Sequence, residues 1–117
     1  MQTTVKNIFN DMYSFFFMEK ITLPGLLEKY KDIELMKVMI NNMDSIEGTD
    51  LKAGMKAIYQ FFKNYSDNPI EEDVMWEKLM KEAQILFECY GHEWHKQVIL
   101  ELVNIIEHLQ KAFGNAA

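Results

Sequence analysis

Apolar side chains recur along this chain at steps of three and four, the interval that gathers them on one face of an α-helix. Val5, Ile8, Phe9, Met12 and Phe16 form the first stripe, predicting a helix capped by Thr3 or Thr4 that reaches about Lys20. Thr22-Leu23-Pro24-Gly25 interrupts the pattern. Proline is accommodated in a first helical turn, where its missing N–H has no bond to lose. A short helix over 23–31 capped by Thr22 follows from this. Asp32 is placed to cap a third helix carrying Leu35, Met36, Met39, Ile40 and Met43. Asp44–Thr49, with Gly48 inside it, reads as a loop. Asp50 or Thr49 would cap a fourth helix bearing Leu51, Met55, Ile58, Tyr59 and Phe62 on one side.

Ser66-Asp67-Asn68-Pro69 is the sharpest boundary: asparagine suits an N-cap and proline the first helical position. The helix predicted over 69–90 carries Trp76, Leu79, Ala83, Leu86 and Tyr90 on its apolar face. The next, over 92–113, carries Ile99, Leu102, Ile106, Leu109 and Phe113, with Gly114 at its end. One unbroken helix over 69–113 would extend about 67 Å and overhang a domain of this size. A break at Gly91 instead folds the two longest helices into an antiparallel hairpin. No alternating run bounded by turn residues argues for a strand, and no internal repeat is present. The expected fold is all-α, a compact bundle of five or six helices in one domain over 1–117.

Composition narrows the setting. At 117 residues and 49% apolar, the chain holds one folded domain and is far too hydrophobic to be disordered. No stretch approaches the roughly 20 apolar residues of a membrane span. Lys6 and Asp11 interrupt the region where a signal peptide would be uniformly apolar. A single cysteine, Cys89, forms no internal disulfide. A cytoplasmic location fits these features. Lysine without any arginine, alongside many Ile and Asn, is the usage of an AT-rich genome, bacterial or phage.

Charge is unevenly placed. Residues 1–66 carry eight lysines against eight acids, whereas residues 67–117 carry four lysines against ten acids, so the whole net charge of −6 lies in the second part. Glu77–Lys81 and Glu107–Lys111 have the spacing of pairs on a solvated face. Nucleic-acid affinity comes largely from cationic contacts to phosphate, with arginine the favoured group. Direct nucleic-acid binding is therefore not expected. The acidic excess instead suits a protein partner with a basic surface.

The densest set of potential ligands is Glu88-Cys89-Tyr90-Gly91-His92-Glu93-Trp94-His95. Thiolate and imidazole suit zinc, yet with one Cys and one further His, His108, a four-ligand site is incomplete. The simpler reading makes Cys89 a small buried apolar group and the histidines the lining of a helix junction. His92-Glu93-Trp94-His95 is one residue short of the zinc-protease motif, whose histidines lie four apart. Glu88 and Glu93 disfavour a reactive thiolate at Cys89. No glutamate precedes a histidine by three, as di-iron bundles require, and no glycine-rich phosphate loop is present. Met36, Met39 and Met43 form a stripe suited to core packing or to an adaptable contact surface. Phe15, Phe16 and Phe17 cannot all face one way on a helix, and an exposed one would serve as a contact anchor.

These features lead to a non-catalytic interaction protein, such as an adaptor, regulator or inhibitor, with no cofactor and no metal. Its expected docking residues are Glu71, Glu72, Asp73, Glu93 and Glu101. A sharper form is a phage or mobile-element inhibitor whose acidic face occupies a basic groove. Self-association as a homodimer is compatible with the pattern. The alternative is a small metal- or ligand-binding bundle using Cys89, His92 and His95.

Overall fold

The computed structural model describes residues 2–18, 21–43, 48–67 and 69–116. Six α-helices and no strand are found among them, as the periodicity predicts. They are α1 (Gln2–Tyr13), α2 (Leu23–Lys29), α3 (Glu34–Asn41), α4 (Gly48–Ser66), α5 (Asp73–Cys89) and α6 (Glu93–Ala116). A five-residue π-helical turn, Ser14–Met18, continues α1.

Two of the predicted punctuation marks hold. The Thr22 hydroxyl accepts from the Gly25 amide at 3.2 Å, and Pro24 lies in the first turn of α2. Gly91 separates α5 from α6: the Tyr90 amide closes α5 by donating to the Leu86 carbonyl at 2.9 Å, and α6 restarts at Glu93.

Other boundaries move, each for a local reason. α1 begins at Gln2, so Thr3 and Thr4 lie inside its first turn, and its α-geometry ends at Tyr13; Lys20 lies outside the described residues. The Gln2 side chain donates to the Ser66 carbonyl and ties the start of α1 to the end of α4. α2 stops at Lys29 rather than at residue 31. Tyr30, its C-cap, turns its hydroxyl onto Asp11 of α1 at 2.5 Å, where Lys29 also donates at 2.8 Å. Burial pushes the Asp11 carboxyl up, but the two donors outweigh it and hold the group below its ordinary value. The Ile33 amide then bonds the Tyr30 carbonyl at 3.0 Å, so Ile33 instead of Asp32 occupies the N-cap of α3. α4 opens at Gly48, placing Thr49 and Asp50 inside the helix; glycine is tolerated at a helix start. Residues 44–47 of the expected loop lie outside the described residues. α5 starts at Asp73, not Pro69. The Ile70 amide is committed to the Gln110 side chain at 2.6 Å, and Glu72 is the N-cap without a side-chain bond. Asn68 lies outside the described residues.

Contacts fix the helix directions. Ile70 meets Gln110 and Tyr90 stacks on His95, so α5 and α6 are antiparallel as expected. The two longest helices are nevertheless α6 and α4, with 24 and 19 residues. These run parallel: Gly54 abuts His95, and the Gln110 side chain bonds the Tyr65 carbonyl at 3.4 Å. α1 runs antiparallel to α4, with Phe9 against Tyr59 at 5.3 Å between ring centroids. α6 supplies much of the core, including Trp94, Val98, Ile99, Leu102 and Ile106, against Met36 and Met39 of α3 and Ile58 and Phe62 of α4. The body measures 43 × 30 × 19 Å, a slab thin in one direction.

Two contacts seat the start of α6. The Trp94 indole, fully buried, donates from Nε1 to the Met39 carbonyl at 2.9 Å. That carbonyl is among the last four of α3, which have no partner within their own helix. His95, also fully buried, lies against bare backbone at Gly54, where an added Cβ would stand only 2.0 Å from Nε2 of its ring.

Trp94→Phe is expected to lower stability by about 1–3 kcal/mol, because the indole donor is lost from a buried carbonyl. Urea unfolding checks it, and an unchanged midpoint would contradict the role given to the indole. Gly54→Ala should gain helix propensity but lose more to overpacking, for a net loss of about 1–3 kcal/mol. His95→Ala alone should also destabilise. The double variant should be more stable than the sum of the two losses allows, a coupling that a double-mutant cycle reads directly; simple additivity would contradict the Gly54–His95 contact.

Candidate functional site

The ligand-type side chains around Gly91 diverge. Cys89, at the last turn of α5, is exposed, which corrects the expectation of a buried apolar thiol. His92 is half-buried, and its carbonyl accepts from the Lys96 amide at 3.2 Å. His95 stacks on Tyr90 with ring centroids 5.3 Å apart, meets Trp94 edge-on at 5.4 Å and lies 5.7 Å from His92. The histidines thus line a helix junction. Among the described residues, no group of three or more His, Cys, Asp or Glu side chains is placed to hold a metal ion.

The five acidic residues fall into three places. Glu71, Glu72 and Asp73 are exposed together at the start of α5. Glu93 is exposed at the opposite end of the α5–α6 hairpin. Glu101 is half-buried in a groove of about 480 Å³ between α3 and α6, beside Glu34, Leu100 and Glu107. Burial raises the Glu101 carboxyl above its ordinary value and the charge of Glu34 adds to this, against lowering by Asn104 and His108. None of the five forms an ion pair with a lysine among the described residues; the pair found there joins Lys29 to Asp11. The spacings Glu77–Lys81 and Glu107–Lys111 do not close into ion pairs either.

A feature absent from the sequence reading is the outer surface of α5. Val74, Met75, Met80 and Ile85 are exposed, half of the eight large apolar side chains so placed among the described residues. Val74 and Ile85 are eleven residues apart, about three turns, and point almost the same way. Met75 and Met80 lie on opposite sides of the helix, each about a quarter to a third of a turn from that line, while Leu79 and Ala83 face the core. The signal was available: α5 has apolar residues outside the predicted stripe, and a helix apolar on most sides is normally covered on most sides. Lys78 and Lys81 lie on the same face between Val74 and Ile85, and six acids are spread over residues 71–89. Glu82 accepts from Tyr65 of α4; burial and this bond push the phenol well above its ordinary value.

The methionine stripe is core: Met36 and Met39 are buried and Met43 is half-buried. Of the three phenylalanines, Phe15 and Phe16 pack against the core and Phe17 is 36% exposed. No helix among the described residues is long and apolar enough to cross a membrane. No protein-family model, curated protein or solved structure matches the chain.

Glu101→Gln should stabilise the protein at pH 7. A carboxyl raised in the folded state weakens the fold once ionised, so the gain should disappear near pH 3, where the wild-type group is protonated in both states. Thermal unfolding at the two pH values checks this, and an equal gain at both would assign the effect to packing.

Proposed function

We propose that this chain is a non-catalytic interaction module whose α5 surface docks on a basic segment of another protein. The observation that carries the reading is the exposure of Val74, Met75, Met80 and Ile85 on one helix. Such side chains supply contact area, and the surrounding carboxylates select the partner's charge. Glu71, Glu72 and Asp73 border the apolar surface directly and act at its edge. Glu93 and Glu101 lie farther away and contribute to the long-range field. A second copy of the chain would bring the same negative charge against itself, which favours a basic hetero-partner over a homodimer. A cytoplasmic regulator or inhibitor, of the kind phages and mobile elements carry against basic host grooves, is the biological form this chemistry suits.

Capture from a lysate of the encoding organism tests it, comparing wild type with Ile85→Asp and with Glu72→Lys at about 50 mM and about 500 mM salt, across which screening rises steeply. The partner should be basic, weakened by salt and by Glu72→Lys, and lost with Ile85→Asp. Both side chains are exposed; Ile85→Asp should keep wild-type stability within about 0.5 kcal/mol, and Glu72→Lys, at the N-cap of α5, should lose no more than about 1–2 kcal/mol. Recovery of no specific partner, a partner indifferent to salt and to both variants, or a stable homodimer sealed by α5 would each overturn the reading.

A further inference from the structure

We propose that the cleft between α1 and α4 binds a small planar aromatic ring carrying a dianionic group. The cleft is open to solvent, has a volume of about 310 Å³ and is lined by no residue of α5, so it stands independently of the docking role. Its walls are aromatic. Phe9 and Tyr59 meet at 5.3 Å between centroids, and Tyr13 is braced from behind by Phe17 at 4.9 Å. Met55, 4% exposed, forms the floor and offers a polarizable sulfur to a ring.

The rim is cationic. Lys52 and Lys56 lie one turn apart on α4 and both line the cleft. Like charges at that spacing repel, and neither lysine forms an ion pair with a described carboxylate. The Lys52 ammonium lies over the Tyr13 ring, 5.7 Å from its centroid, a cation–π contact that a dianion would draw it away from. Asn10, exposed at the same rim, adds an amide donor.

Each part of the ligand follows from one part of the cleft. The walls accept a flat ring by offset or edge contacts. The paired ammonium groups match a dianion, which removes their mutual repulsion on binding. The volume, at the low end for ligand pockets, admits one ring with its substituent and excludes a dinucleotide. The groove between α3 and α6 has the opposite character: Glu34, Glu101 and Glu107 there repel an anion.

Amide NMR of ¹⁵N-labelled full-length protein tests the assignment, with phenyl phosphate as the probe and inorganic phosphate and phenol as separate controls. Phenyl phosphate should give saturable shifts centred on Asn10, Tyr13 and residues 52–59. Binding should be weaker by about tenfold or more for either control, and by about tenfold in Lys52→Met/Lys56→Met, a 1.4 kcal/mol change. Methionine keeps the apolar stem at both exposed positions, and an unchanged helical circular dichroism spectrum shows that the variant is folded. Absence of saturable shifts, shifts centred elsewhere, equal binding of either control, or full binding by the double variant would each overturn the proposal.

Discussion

The architecture depends on how the first turn of α6 is seated. Trp94 and His95 are adjacent, and both are fully buried. They point to different neighbours: the indole bonds the last turn of α3, and the imidazole presses on the bare backbone of α4 at Gly54. One dipeptide therefore locates three helices that lie far apart in sequence. From that point α6 runs alongside α4 and carries its aliphatic stripe into the space between α3 and α4. Gly91 serves the same arrangement by ending α5 before it, leaving Tyr90 to stack on His95.

The slab shape explains why α5 keeps so much apolar surface in water. With one dimension of only 19 Å, the fold has no outer layer to cover a peripheral helix. α5 buries Leu79 and Ala83 against α4 and α6, and its remaining apolar residues stay at the surface. Six carboxylates and two lysines share the helix with them over residues 71–89. The cleft between α1 and α4, with lysines at its mouth, offers the reverse polarity on another face.

The number of helices, the break at Gly91 and most buried positions were legible in the sequence because each follows from local periodicity. Of the first stripe, Val5, Ile8, Phe9 and Met12 are buried and Phe16 is half-buried; of the last, Ile99, Leu102 and Ile106 are buried, Leu109 is half-buried, and the Phe113 side chain lies outside the described residues. Boundaries set by distant partners were not legible. Ile70 is kept out of α5 by Gln110, forty residues away, and Tyr30 is drawn from α2 onto α1 by Asp11. The charge pattern located an acidic half but not its layout, since the hairpin sends Glu72 and Glu93 to opposite ends. Lys52 and Lys56 carry no signal in the sequence, because they share a cleft with Tyr13 and Phe9 of another helix.

The π-helical turn at Ser14–Met18 bears on how this chain can vary. A π-turn closes on i→i+5 bonds and so holds about one more residue than the α-turn. Removing one residue there would let the helix close with ordinary geometry while Val5 through Met12 kept their register. Everything beyond it would rotate, turning a different phenyl ring outward and withdrawing Phe17 from behind Tyr13. Length in that short stretch is therefore a dial for aromatic display, adjustable without disturbing the helical face that precedes it.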